Sequence, residues 1–478
     1  MNIAMVASEI NPLAKSGGLA DVIYSLSKEY RKKGNKVICV MPFYKSIDTC
    51  KYKVKHLGTY EVDVGWRRQE ADLYKVRIAN IDFYLIGDYY YFGRDGLYGY
   101  DDDGERFAFF AIAARNLFGF IDFTPDIVHV HDWQAAIIPC LLKEQSKNDP
   151  RFASTHTVLT IHNPAFKGML DPHFLGDFFN LPMDLYEDGS VRFEDRFSTL
   201  KAGIYYADKI TTVSPTHRAE LLTEEGSQGL CSVLRFRKDD FTGIVNGVDE
   251  AEFNPRKDLF IPLQYGLKNM AEGKAAARAS LIQKCGLKDN GGPVFGMVSR
   301  LTYQKGVDLL LSSAKFSLSR GAMLFVLGSG EAHLEWGLEQ LRQQFPEQVG
   351  IYIGYSAERA HEIYAASDFF LMPSLFEPCG IGQIIAEAYG ALPVARATGG
   401  IVDTVIDYNG ENADVATGIL FKDYDEGGLC YGMYQAEVLY HNEKAFRLMQ
   451  HNAMKAKHSW KDSAELYLGV YRELLARN

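Results

Sequence analysis

Three cationic positions in this sequence stand beside glycine-rich turns. Lys15 precedes Gly17 and Gly18 in AKSGGLADV, and Asp21 follows in the same stretch. Arg300 and Lys305 fall five residues apart in SRLTYQKG. Glycines let backbone N–H groups approach an anion, and a helix start adds its positive dipole end. A guanidinium fork and an ammonium point charge at one turn suit a diphosphate. Glu377 opens the turn EPCGIGQ, with Gly380 and Gly382, just before a helical pattern. Its carboxylate could grip sugar hydroxyls while the helix end meets phosphate. Asp132-Trp133 follows DIVHVH, and His162-Asn163 follows TVLTI; such side chains hydrogen-bond polyhydroxylated ligands. Each stretch alone also fits a blander role: a tight turn with a solvated lysine, a satisfied structural histidine, two surface cations, an acidic loop. Loop acidity explains Glu377 by itself, but explains less well its company with Lys15, Arg300 and Lys305. Neither a P-loop nor a GxGxxG fingerprint is present. His129 and His131 lack further ligands at metal spacing. Asp101-Asp102-Asp103 lies in a Gly/Tyr-rich loop and reads as solvated, so no metal is expected.

These residues share a placement, each just after a short apolar, β-branched run. NIAMVAS, KVICVMPF, DFYLIGD, DIVHVHDW, TVLTIHN and KITTVS recur in the first half, with helical patterns between them. PVFGMVSR, AMLFVLGSG, GIYIGY, FFLMPS and LPVARATGG do so in the second. Continuous apolar runs suit strands buried on both faces, and strand–helix alternation implies parallel, doubly wound sheets. The expected class is α/β with two Rossmann-like domains. The turn-rich stretch Gly243 to Asp258 carries Asn246-Gly247 and Pro255 and marks the boundary. It gives a first domain over 1–243 and a second over 244–459. The amphipathic last helix, 460–478, could pack on either. Ligands of such sheets bind at the carboxyl ends of the strands, so two domains would face a common cleft.

Bulk properties agree. A chain of 478 residues exceeds what one core serves. A net charge of −10 argues against nucleic acid or an anionic membrane as partner. Seven scattered cysteines without a CxxC pair suggest a reducing compartment. MNIAMVASEI reads as a strand, without the basic, apolar and cleavage regions of a signal peptide. FAFFAIAARNLFGF is interrupted by Arg115 and Asn116 and is too short to span a bilayer. A cytoplasmic location is expected.

The combination KSGGLADV, HVHDWQA, TIHNPAFKG, LKAGIYYADKITTVSP, GIVNGVDEAEFNP, VSRLTYQKGVDL, PSLFEPCGIGQ and ATGGIVDTV resembles bacterial glycogen synthases and plant starch synthases. The likeness covers nearly the whole chain. Those enzymes are retaining glucosyltransferases of the GT-B type, with two Rossmann-like domains around a cleft. The resemblance implies ADP-glucose as donor, an α-1,4-glucan as acceptor, and no cofactor. It implies that Lys15 and Gly18 meet the donor's phosphates, with Gly17 and Asp21 also binding substrate, on a first domain that forms the acceptor side. Asp132 and Trp133 would lie by the glucose and acceptor, and His162 and Asn246 would bond glucosyl hydroxyls. Arg300 and Lys305 would hold the diphosphate, and Tyr355 would stack near the adenine. Glu377, Cys379 and Gly380 would bind the glucose, with Gly382 and Gln383 at the helix end by the phosphate. Glu377, Arg300, Lys305, Asp132 and His162 form the expected catalytic set. The chain departs from the family's usual pattern at Gln134, where histidine is common, and at Ile381-Gly382, where Leu-Thr is common. Ile385 stands where related enzymes carry a second glutamate. UDP-glucose as donor, a nucleotide-sugar epimerase and a non-enzymatic glucan-binding module are the alternative readings.

Overall fold

Branched apolar runs become strands whose side chains are buried on both faces, which fixes them in sheet interiors. The computed structural model describes residues 1–146 and 149–477. The chain divides into two units, Met1–Ile244 with Trp460–Asn478, and Val245–Ser459.

The first unit holds β1 (Asn2–Val6), β2 (Lys36–Pro42), β3 (Lys55–Val64), β4 (Arg67–Ile78), β5 (Ile81–Gly87), β6 (Ile127–His131), β7 (His156–Ile161), β11 (Lys209–Thr212) and β12 (Phe241–Gly243). They form one sheet in the order β12-β11-β7-β6-β1-β2-β5-β4-β3. Pairing is parallel from β12 to β5, and antiparallel where β4 and β3 extend the edge. A separate small sheet joins β8 (Met169–Leu170), β9 (Arg192–Phe193) and β10 (Arg196–Ser198). The six apolar runs of the first half all appear as strands. The β3–β4 hairpin was missed because its residues alternate charged and apolar, as a half-exposed edge requires.

The apolar window at Phe107 lies in the helix Asp103–Phe120, buried along most of its length. Its charge is spent internally. Arg106 is fully buried, donates to Tyr91 O at 2.7 Å and pairs with Asp103. Asp102 pairs with Arg94 at 2.5 Å. Asp102 and Asp103 are thus engaged by arginines, while Asp101 is exposed. The last helix, Trp460–Leu475, packs on the first unit. There the Tyr471 hydroxyl lies 2.6 Å from His129 Nδ1 and 3.2 Å from the Tyr30 hydroxyl.

The second unit is wholly parallel. β13 (Val294–Val298), β14 (Met323–Gly328), β15 (Val349–Ile353), β16 (Phe369–Met372), β17 (Leu392–Arg396) and β18 (Ile419–Phe421) run in the order β15-β14-β13-β16-β17-β18. The central neighbours β13 and β16 pair Phe295 with Phe369, so their carboxyl ends emerge side by side. Among the described residues, no helix is long and apolar enough to cross a membrane.

Replacing Tyr471 with Phe leaves His129 Nδ1 buried without its hydroxyl partner. A buried group left unpaired costs about 1–3 kcal/mol. Calorimetry is expected to show a Tm lowered by several degrees; an unchanged Tm would contradict this account of how the helix is held.

Candidate functional site

The second unit brings Lys305 and Glu377 together. Lys305 Nζ lies 2.6 Å from Glu377 Oε2, with the two side chains only 17% and 9% exposed. Lys305 ends the short 3-10 turn after β13, and Glu377 lies in the loop after β16. Backbone bonds stitch the two together. Leu375 N–H donates to Gln304 O at 2.8 Å, and Gln304 Nε2 donates to Phe376 O at 3.3 Å. Gly306 follows Lys305 at φ +69°, and a Cβ there would lie 2.0 Å from Pro373 O. Only glycine accepts both the left-handed backbone and that approach. Gly399, at φ +47°, meets the same demand against Glu377 O, 1.9 Å from an added Cβ. Arg396, at the end of β17, donates from Nη1 to Leu375 O at 2.6 Å. The Lys305–Glu377 pair is therefore held by three strand ends.

Arg300 leaves β13 exposed, and among the described residues no ion pair holds it. Its segment is fixed where Leu301 N–H donates to Ser329 O at 2.9 Å and Glu331 N–H donates to Leu301 O at 2.8 Å. A cavity of roughly 120 Å³ lies beside the ion pair, lined by Ser299, Lys305, Ser374, Glu377, Ile381 and Gly382 among others. A Cβ on Gly382 would sit 3.2 Å from the Phe370 ring and 3.4 Å from the Met372 sulfur. The glycine at this departure from the family pattern is matched to its neighbours. The helix Gly382–Ala388 starts here.

Gln383 stands at the start of this helix, its side chain fully buried, with Nε2 donating to Cys379 O at 3.0 Å, Gly380 O at 3.2 Å and Thr404 Oγ1 at 3.0 Å. Nε2 pins the turn, and Oε1 has no protein partner among the described residues. The Cys379 thiol is also buried, accepts from the Asn246 N–H, and is pushed up to about 12 by burial. Asn246 Oδ1 is buried and has no protein partner among the described residues, so it remains able to accept a hydroxyl. Tyr355, between β15 and the helix Ala357–Ala366, is 88% exposed.

In the first unit, Asp132 follows β6 at φ +53°, a conformation aspartate tolerates better than most residues. This turns its carboxylate onto the exit of β7, where Oδ1 accepts His162 N–H at 2.7 Å and Asn163 N–H at 3.3 Å. Burial raises the Asp132 carboxyl to about 7. His162 Nε2 lies 3.1 Å from His131 Nδ1, and burial lowers His162 to about 3. His129 is likewise lowered to about 3 by burial, and His131 well below its ordinary value. These imidazoles are neutral and serve as hydrogen-bonding groups. Trp133 packs edge-on against Phe107, ring centroids 5.2 Å apart. Gln134 is buried.

Lys15 Nζ lies 2.6 Å from Asp21 Oδ2. The helix Gly18–Lys32 starts immediately after Gly17. The Ser16 N–H in this turn donates inward to Glu9 Oε2 at 2.6 Å. Glu9 was missed by the sequence reading. Its one signal was an acidic residue in the otherwise apolar exit of the first strand, ASEI.

Two Rossmann-like units, the second with a lysine–carboxylate pair at adjoining strand ends and an exposed arginine five residues before that lysine, define a GT-B glycosyltransferase. The starch synthase catalytic domain model matches residues 2–236, and the model for glycosyl transferases group 1 matches 281–433. The chain is 39% identical to the glycogen synthase of Streptococcus agalactiae serotype III, covering 99% of this chain and 100% of that protein. It is 40% identical to that of Clostridium beijerinckii, covering 100% of both. The chain belongs to the glycogen synthase and starch synthase family. Among solved structures, the catalytic domain of starch synthase IV from Arabidopsis thaliana, bound to ADP and acarbose, aligns with a TM-score of 0.91 and 32% identity over 99% of each chain. Sucrose-phosphate synthase from Thermosynechococcus elongatus aligns at 0.64 with 16% identity over 100% of each chain, a likeness of fold.

The raised Asp132 carboxyl has a consequence for stability. In the unfolded chain it titrates near 4, so between about pH 4 and 7 the folded protein retains a proton that the unfolded chain has lost. Its stabilising share is full below that window and is lost as pH rises through 7. Denaturant titrations should show the wild-type advantage over Asp132→Asn shrinking from pH 5 to pH 8. An advantage that grows over the same range would contradict the assignment.

Proposed function

We propose that the chain transfers glucose from ADP-glucose to the non-reducing end of an α-1,4-glucan with retention of configuration, releasing ADP. The observation that carries the reading is the Lys305–Glu377 pair, at the strand ends of a chain alignable throughout with glycogen synthases. The starch synthase IV structure bound to ADP and acarbose supports a nucleotide and a glucan-like ligand as the two partners.

Breaking the glycosyl–phosphate bond builds positive charge on the sugar ring and negative charge on the leaving diphosphate. Arg300 and Lys305 stabilise that leaving group, and preorganised donors of this kind contribute roughly 3–4 kcal/mol each. Glu377 steadies Lys305 and bonds the glucosyl hydroxyls together with Asn246. Its turn, with Cys379, Gly380 and Gly382, supplies backbone to the sugar and phosphate. Tyr355 offers a face to the adenine. On the first unit, Lys15 is the candidate donor-phosphate contact. Asp132, Trp133 and His162 are the candidate contacts to glucosyl and acceptor hydroxyls, with Asp132 fixing the His162 backbone. Retention follows from attack on the face the diphosphate leaves, with the diphosphate accepting the acceptor's proton.

Two measurements test the reading. Incubation with a maltooligosaccharide and either ADP-glucose or UDP-glucose is expected to lengthen chains, with one ADP released per glucose added and a higher kcat/KM for ADP-glucose. Sugar epimerisation, or binding without ADP release, would reject it. Arg300→Ala and Lys305→Ala are each expected to lower kcat by about a hundredfold, the typical cost of a lost leaving-group donor. Near-wild-type turnover in either variant would remove the diphosphate assignment.

A further inference from the structure

The KSGG turn looks in sequence like a bare backbone cradle awaiting an external anion. In the structure the cradle is filled. Glu9 follows β1 and is only 2% exposed. Its Oε2 accepts the Ser16 N–H at 2.6 Å, and the Ser16 hydroxyl and Gly17 N–H act on the same carboxyl to favour its charged form. An internal carboxyl thus takes the Ser16 amide that an external anion would otherwise meet. Burial, the largest influence, holds the Glu9 carboxyl above the usual carboxylate range, and the Ser16–Gly17 turn opposes that shift.

Lys15 is the residue directly before these amides. Its ammonium is tethered on the other side by Asp21, whose Oδ1 also accepts Asn11 Nδ2 at 2.8 Å. The lysine thus stands between a backbone fixed by Glu9 and a carboxylate fixed by Asn11. A flexible lysine loses rotamer and loop entropy when it meets a phosphate, and a pre-ordered turn removes part of that cost.

We propose that Glu9 is a positioning residue for Lys15, an internal carboxyl that accepts the Ser16 amide and fixes the backbone from which the lysine reaches the donor's diphosphate. On this account the turn's own amides take no part in donor binding. The inference rests on reading Lys15 as a donor-phosphate contact.

The test is steady-state kinetics on the full chain with ADP-glucose and a maltooligosaccharide. It uses Glu9→Ala, Glu9→Gln, Lys15→Ala and the two Glu9/Lys15 double variants. Lys15→Ala and Glu9→Ala are each expected to lower kcat/KM for ADP-glucose by about tenfold or more. Glu9→Gln should fall between, since its amide oxygen accepts one N–H while its NH2 opposes the other. Each double variant should lie within about threefold of Lys15→Ala, because residues acting through one another are not additive. Sodium formate, a carboxylate small enough for the vacated space, should restore Glu9→Ala severalfold and leave wild type and Lys15→Ala unchanged. A merely structural glutamate would show neither that selectivity nor the non-additivity. If Lys15→Ala is unimpaired, the reading of Lys15 falls and the positioning role falls with it. If Lys15→Ala is impaired but Glu9→Ala is not, or the losses add, or formate fails to restore Glu9→Ala, the Glu9 proposal alone is overturned. Should Glu9→Ala not fold, the Glu9→Gln cycle with Lys15→Ala decides, non-additivity supporting the proposal and additivity overturning it.

Discussion

An ammonium 2.6 Å from a carboxylate, both mostly withdrawn from water, is the constraint around which the second unit is arranged. Such a pair gains little net stability, because desolvation offsets most of the attraction. It persists only if the surrounding backbone leaves the two charges nowhere else to go. β13 and β16 supply that condition by running parallel as neighbours, so the turns that follow them are adjacent. Gly306 lets one turn close on Pro373 O, and Gly399 lets a further loop close on Glu377 O. On the proposed function, the pair keeps a cationic group positioned for a leaving diphosphate.

The first unit works by a different economy. Near the centre of its sheet a chain of neutral groups hydrogen-bonds from one strand to the next. His129 lies between the Tyr471 and Thr160 hydroxyls at 2.6 Å each, and Thr160 reaches Thr211 at 2.6 Å. His131 meets His162, and Asp132 meets the backbone of the next strand exit. Burial keeps the imidazoles uncharged. The strand ends of this unit are thus suited to hydroxyl recognition, and those of the second unit to phosphate charge.

Much of this was legible in the sequence, and the exceptions have physical reasons. Buried parallel strands announce themselves as continuous apolar runs, so the two sheets and the placement of Lys15, Asp132, His162, Arg300 and Glu377 after strands could be read directly. The β3–β4 hairpin could not, because an edge strand alternates polar and apolar residues and carries no such run. Side-chain direction was the second blind spot. Gln383 lies at the helix start, as its position suggested, but its amide turns back to hold the turn. A motif gives spacing along the chain, and whether a donor faces a ligand or the protein depends on contacts from elsewhere. Glu9 is the clearest instance, an unremarked carboxylate that occupies the cradle the glycines advertise.

The central claim is that Lys305 and Glu377 act as one unit in stabilising the departing diphosphate. A double-mutant cycle on kcat with Lys305→Ala and Glu377→Gln addresses it most directly. The account predicts that the double variant turns over within about tenfold of the worse single variant, since removing either partner already dismantles the unit. Fully additive losses would show two independent residues and would contradict it.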